Sequence, residues 1–174
     1  MVALKAQTQL RDHELAPAQV FVASHTGGKQ AMTPTIRMAV LGFVAAVIAV
    51  LVAHQLMVLA LYMIGWVPNA PYSFRPNAWG VPQIINGMFW GGLWGIAFAF
   101  AAPKIPISAA WLKGIVLGLL GPLLIGGWIV MAAIRGQPFF AGFVPMRMLV
   151  GALILGAFGL GWIYIHQAIA RTRA

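Results

Sequence analysis

Beyond residue 37 the chain alternates between long uncharged apolar runs and short segments that hold its prolines, amides and basic residues. Met38 to Val67 is thirty residues without a formal charge, about 45 Å as an α-helix against roughly 30 Å of hydrocarbon in a bilayer. A run of that length tilts or projects beyond the lipid. Pro68, Pro71 and Pro76, with Asn69 and Asn77, break it, and Pro68 to Gly80 reads as a short aromatic loop carrying one charge, Arg75. A second run covers Val81 to Ala102 and stops at Pro103-Lys104-Ile105-Pro106. Ser108 then offers a cap for a third helix, entered through Trp111 and Lys113 and reaching Ile134. The loop Arg135 to Pro145 is again aromatic, and a fourth run extends from Met146 to Ala170. The pattern predicts an all-α integral membrane protein, a four-transmembrane-helix bundle with helices at about 38–67, 81–102, 111–134 and 146–169.

Residues 1–35 contain both acids of the chain, Asp12 and Glu14, with several amides, hydroxyls and glycines, and no sustained apolar period beyond a short helix around Val2 to Leu15. They read as a flexible cytoplasmic tail ahead of a transmembrane domain at 36–170, with 171–174 as a cytoplasmic end. The first apolar run far exceeds the roughly 7–15 residues of a signal-peptide core, so it reads as a retained anchor. Cytoplasmic segments accumulate Lys and Arg. With both ends inside, that side holds Lys5, Arg11, Lys29, Arg37, Lys104, Lys113, Arg171 and Arg173, against Arg75, Arg135 and Arg147 outside. Trp66, Trp79 and Trp128 then mark one membrane face, and Trp111 and Trp162 the other. The expectation is an N-in/C-in protein of a bacterial inner membrane.

Composition agrees with the pattern and removes several function classes. The chain is 61% apolar and 7% charged with a mean hydropathy of +0.89, where soluble domains carry about 25% charged residues. Its net charge of +9 in a soluble protein would suggest nucleic acid as partner. Here the basic residues flank apolar runs singly and form no phosphate-binding stripe, so no nucleic-acid partner is expected. There is no cysteine, which excludes disulfides, thiolate chemistry and iron–sulfur clusters. No Asp or Glu follows Glu14, so the membrane domain lacks the carboxylates that serve as general bases, hard-metal ligands or proton carriers. No nucleophile-elbow, zinc-protease or P-loop motif is present. The chain is not expected to be an enzyme.

The most regular feature lies in the second helix, where Gly87, Gly91, Gly95 and Ala99 recur every four residues. Such a stripe lets another helix approach closely in a solvent that supplies no hydrophobic drive. Gly114 and Gly118 in the third helix and Gly156 in the fourth extend the theme. Trp90 and Trp94 flank the ladder, facing lipid, a partner or a ligand. Gly121-Pro122 is a candidate hinge, because Pro removes a backbone hydrogen bond. His54 and Gln55 lie about 18 Å along the helix from Trp66, near mid-membrane, where polar side chains mark function. The candidates are a haem or chlorin ligand, a proton relay, or a packing hydrogen bond with partners such as Gln55 or Asn86. His166 lies too far in depth to share an iron with His54, so only single-ligand haem or chlorin at His54 is open as a cofactor, and none is otherwise expected. His13 and His25 lack metal-ligand spacing. Gly65-Trp66-Val67 and Gly127-Trp128-Ile129 begin similarly spaced segments that reach Val81-Pro82 and Val144-Pro145, the trace a duplicated hairpin would leave.

Three readings of function follow. The first is a non-catalytic accessory subunit of an inner-membrane complex, bound to other subunits or to copies of itself through glycine-lined faces. The second is a small oligomeric transporter or channel for a neutral or anionic solute, with Arg75, Arg135 and Arg147 at an outer entrance. The third is a pigment- or haem-binding protein through His54. All share one topology. A cysteine introduced in the N-terminal tail and another replacing Arg75 should label from opposite sides of sealed membranes; labelling from the same side refutes the four-span scheme.

Overall fold

The computed structural model describes residues 32–172. Residues 1–31 of the expected tail, where a short helix is expected and where both acids, His13 and His25 fall, and Arg173 lie outside the described residues, while Pro34 and Thr35 already belong to the first helix. Four helices are each long and apolar enough to cross a membrane: α1, Pro34–Met63; α2, Gln83–Lys104; α3, Ala110–Arg135; and α4, Pro145–Arg171. The described residues contain no strand beyond a single bridge between Pro76 and Pro82.

Helix ends follow capping chemistry more closely than the loss of charge. Helix α1 begins four residues earlier than the uncharged run, because Thr33 Oγ1 accepts the Ile36 N–H at 3.4 Å and Pro34 occupies the first helical position. One cation, Arg37, is tolerated in that first turn. The helix also ends four residues earlier than Val67. Gly65 adopts φ 75°, its N–H reaches the Tyr62 carbonyl at 3.0 Å, and the Trp66 N–H reaches Leu61 at 2.9 Å. That pair of bonds is the Schellman closure, which needs a left-handed residue and so selects glycine. Gly136, at φ 61°, ends α3 in the same way, with Gln137 N–H on the Ala132 carbonyl. Ser108 does not cap α3; Ala109 holds the N-cap position without a side-chain bond.

Each sequential hairpin closes through glycine. Helix α1 runs antiparallel to α2, with Gly42 beside Gly95 and Ala99, and Val50 beside Gly91 and Gly87. A Cβ at Gly95 would fall on Ala46 Cβ and on the Gly42 carbonyl. Helix α3 meets α4 with Gly114 and Gly118 against Gly159, Leu155 and Ile163. Gly161 then seats against Ala49 and Ala53, joining α4 to α1. The regular stripe of α2 is thus covered at Gly91, Gly95 and Ala99 by α1 of the same chain.

Small residues alone leave little to bury, so three large rings fill the centre. Phe98, Phe158 and Trp162 are fully buried, with Phe98 5.2 Å from Trp162 in edge geometry and 6.0 Å from Phe158 between centroids. The Trp162 Nε1–H donates to the Gly42 carbonyl at 3.1 Å, satisfying the one polar atom of the ring. Trp162 is therefore a core residue and not a member of an aromatic belt. His166 stacks on it at 4.9 Å.

Two segments depart from α-helical hydrogen bonding into the wider π form, Val50–His54 in α1 and Leu119–Met131 in α3. The second contains Pro122, which has no N–H to give and crowds the preceding turn. Gly95→Ala should destabilise the protein by about 1–3 kcal/mol through overpacking, whereas Gly87→Ala, whose Cβ would lie 3.8 Å from Val50, should leave stability unchanged. Unfolding in mixed micelles with increasing denaturing detergent measures both.

Candidate functional site

Where glycines meet another backbone they close the structure, and where they do not they leave space. Trp94 projects from α2 towards α3, where a Cβ on Gly121 or Gly126 would lie 3.1 or 3.2 Å from its ring. The indole wedges the two helices apart. Beside it, Gly87 and Gly91 of α2 and Gly126 and Gly127 of α3 contribute no side chains. The result is a cleft of about 710 Å3, bounded by Val50 and His54 of α1, by Asn86, Trp90, Trp94 and Ala97 of α2, by Pro122, Val130 and Arg135 of α3, and by Leu155 and Phe158 of α4. Its volume lies within the range typical of small-molecule sites, roughly 300–1,000 Å3.

The cleft is polar at one end. Val50 faces Gly87 and Gly91 across the antiparallel pair; His54, one turn further along α1, therefore comes level with the first turn of α2, where Asn86 lies. At that level α1 still has about two turns to run before Met63. Arg135 ends α3 on the same side, its guanidinium 6.0 Å from the centroid of Trp79. No described residue is acidic, so no carboxylate in the described structure neutralises Arg135.

Gln55 explains how this end is held. It is the one buried polar residue in the described core, 8% exposed. Its Oε1 accepts the Tyr72 backbone N–H at 2.8 Å, and the Tyr72 hydroxyl donates to the Leu51 carbonyl at 2.8 Å. The loop after α1 thus folds back along the helix instead of standing free. Tyr72 takes φ 54° to make both bonds, and the loop is braced further by Asn77 Oδ1, which accepts from the Trp79 and Val81 N–H groups. With Oε1 fixed on Tyr72, the Gln55 amide nitrogen faces His54 Nδ1 at 3.4 Å. An amide nitrogen only donates, so Nδ1 accepts and the neutral ring carries its hydrogen on Nε2. A ring paired in this way offers Nε2 as a hydrogen-bond donor.

The sequence candidates separate into two groups. His54, Gly87, Gly91, Trp90, Trp94, Pro122 and Arg135 converge on the cleft. Gly95, Ala99, Gly114 and Gly118 lie in helix contacts, and Gly156 sits at ordinary packing distance from Leu119 and Ile115. Arg75 belongs to the folded-back loop, where its carbonyl accepts the Gln83 N–H, and Arg147 lies in the first turn of α4; neither lines the cleft. Asn86 joins the cleft through the register of α1 and α2, and Tyr72 through a contact between residues 17 apart, which leaves no local pattern in the sequence. Among the described residues no three His, Cys, Asp or Glu side chains gather as a metal site. No known protein family, curated protein or solved structure matches this chain.

Removing one net hydrogen bond costs about 1 kcal/mol. Tyr72→Phe should lose that amount and raise amide exchange across residues 68–80, while Gln55→Leu, which removes the acceptor of the Tyr72 N–H, should raise it further. Unchanged exchange in both variants would show that the loop is held elsewhere.

Proposed function

We propose that this chain is a non-catalytic integral membrane protein, with both ends on the inner side of a bacterial plasma membrane, that holds an amphiphilic molecule in the cleft between α2 and α3. The observation that supports this reading is the convergence in one intramembrane space of aromatic walls, glycine floors and three polar side chains at a single end. Apolar surface with a few convergent polar groups is the usual chemistry of a small-molecule site. An amphiphile fits the two-ended lining better than a fully polar solute, which would lie against Trp90, Trp94 and Phe158 without partners for its oxygens.

The accessory-subunit reading rested on the glycine stripe of α2 as a docking face. Most of that stripe meets α1 of the same chain, which favours the cleft as the working part. The pigment reading draws on His54, and the hydrogen on its Nε2 favours a donor role over axial ligation.

Positions 87 and 97 allow the cleft to be filled without disturbing the core. Ala97 is exposed on the cleft wall, and Gly87 has ordinary clearance from Val50. The protein purified in mild detergent should carry about one tightly held amphiphile per chain in native mass spectra. Ala97→Phe and Gly87→Leu should fold with unchanged thermal stability and lose it. A wild-type protein that emerges empty, or a bound molecule indifferent to both substitutions, refutes the reading.

A further inference from the structure

Resting on that reading, we infer that the occupant of the cleft is an anionic phospholipid, with one acyl chain between α2 and α3 and its phosphate against Arg135. Three features of the lining lead there.

Size comes first. At roughly the 30 Å3 that water takes per molecule in the liquid, about 710 Å3 holds on the order of twenty methylene-sized groups. That suits a single long acyl chain and excludes two chains with their head group. Leu93, Ile134 and Val130 on the cleft walls are exposed, so a second chain has lipid to occupy directly beside the first.

Charge comes second. Arg135 lies at the cleft with an aromatic face for company and no acid among the described residues to pair with. A guanidinium at the edge of a low-dielectric space binds phosphate oxygens in forked geometry. The anion therefore comes from outside the described chain, and a bilayer supplies phosphates at the depth where helices end.

The donor inventory comes third. His54 presents Nε2–H once Gln55 occupies Nδ1, and the Asn86 side chain has no hydrogen-bond partner among the described residues while lining the same end. With Arg135, the polar end of the cleft offers donors from three helices. An ester carbonyl and a phosphate supply the acceptors, and a head group without an ammonium leaves the phosphate no cation of its own to compete with Arg135. The unmatched guanidinium selects a net-negative head over a zwitterionic one.

Delipidated full-length protein in a neutral detergent, titrated with dioleoylphosphatidylglycerol, dioleoylphosphatidylcholine or oleate and read by native mass spectrometry, tests the assignment. Phosphatidylglycerol should bind at one site about tenfold more tightly than phosphatidylcholine, whose choline cation offsets the phosphate charge that Arg135 meets. Arg135→Gln should abolish that preference, and Arg135→Lys should restore part of it, with melting temperatures unchanged in both. Equal binding of the two phospholipids at a site that Ala97→Phe blocks overturns this inference and leaves the amphiphile cleft standing. Binding of oleate with no binding of phosphatidylglycerol overturns the assignment to a phospholipid. Lipid binding of every kind that ignores Ala97→Phe removes the cleft itself. A visible absorption band on the protein as first isolated counts against the lipid and for a pigment in its place.

Discussion

Direct approach of one helix backbone to another, at Gly42 against Gly95 and at Gly118 against Gly159, is the constraint on which the remaining structure depends. In lipid the hydrophobic effect does not distinguish helix from solvent, so association rests on dispersion between closely fitted surfaces and on weak backbone contacts. Both need Cβ atoms to be absent along the contact. Once two helices lie that close, only rings of the size of Phe98, Phe158 and Trp162 fill the wedge left between them and the third, and the indole N–H of Trp162 finds its acceptor on Gly42 itself.

The same economy of side chains leaves a vacancy where the facing surfaces are not matched. Gly126 meets the Trp94 ring in place of a backbone, and Gly127 meets only the Pro122 carbonyl of its own helix. Pro122 and the π-helical stretch around it widen α3 on that side. One residue type therefore builds the tight seams and the open cleft, and the side chain across from it decides which. Arg135, His54 and Asn86 give the open space a direction, polar towards the loops and apolar towards the centre.

The four spans were legible because length and absence of charge act over twenty or more residues, and no short-range effect overrides them. Their ends were less so. Charge placed the start of α1 at Met38, but a Thr cap and a Pro at the first position act locally and more strongly. Gly65 stood in plain view inside an apolar run, and its significance as a left-handed stop emerges only from the paired bonds of Tyr62 and Leu61. The glycine ladders signalled close packing, though not which neighbour fills each rung. His54 and Arg135 were marked by their chemistry, yet their meeting in one cleft depends on how α1 and α2 register, a long-range fact. Trp162 was misplaced because its sequence position near a helix end resembles an interfacial anchor, while its burial rests on long-range contacts with Phe98 and the Gly42 carbonyl.

Among the described helices, α1 and α4 form the inner pair, α2 attaches to α1, and α3 attaches to α4. The outer two meet through the rings of Trp94 and Phe98 set against Gly121 and Gly126. Within each hairpin backbone meets backbone, and α1 meets α4 through Gly161 and the Trp162 bond to Gly42, whereas between α2 and α3 rings stand against glycines. Close backbone approach thus runs along the hairpin seams, and the cleft opens along the line where it is missing.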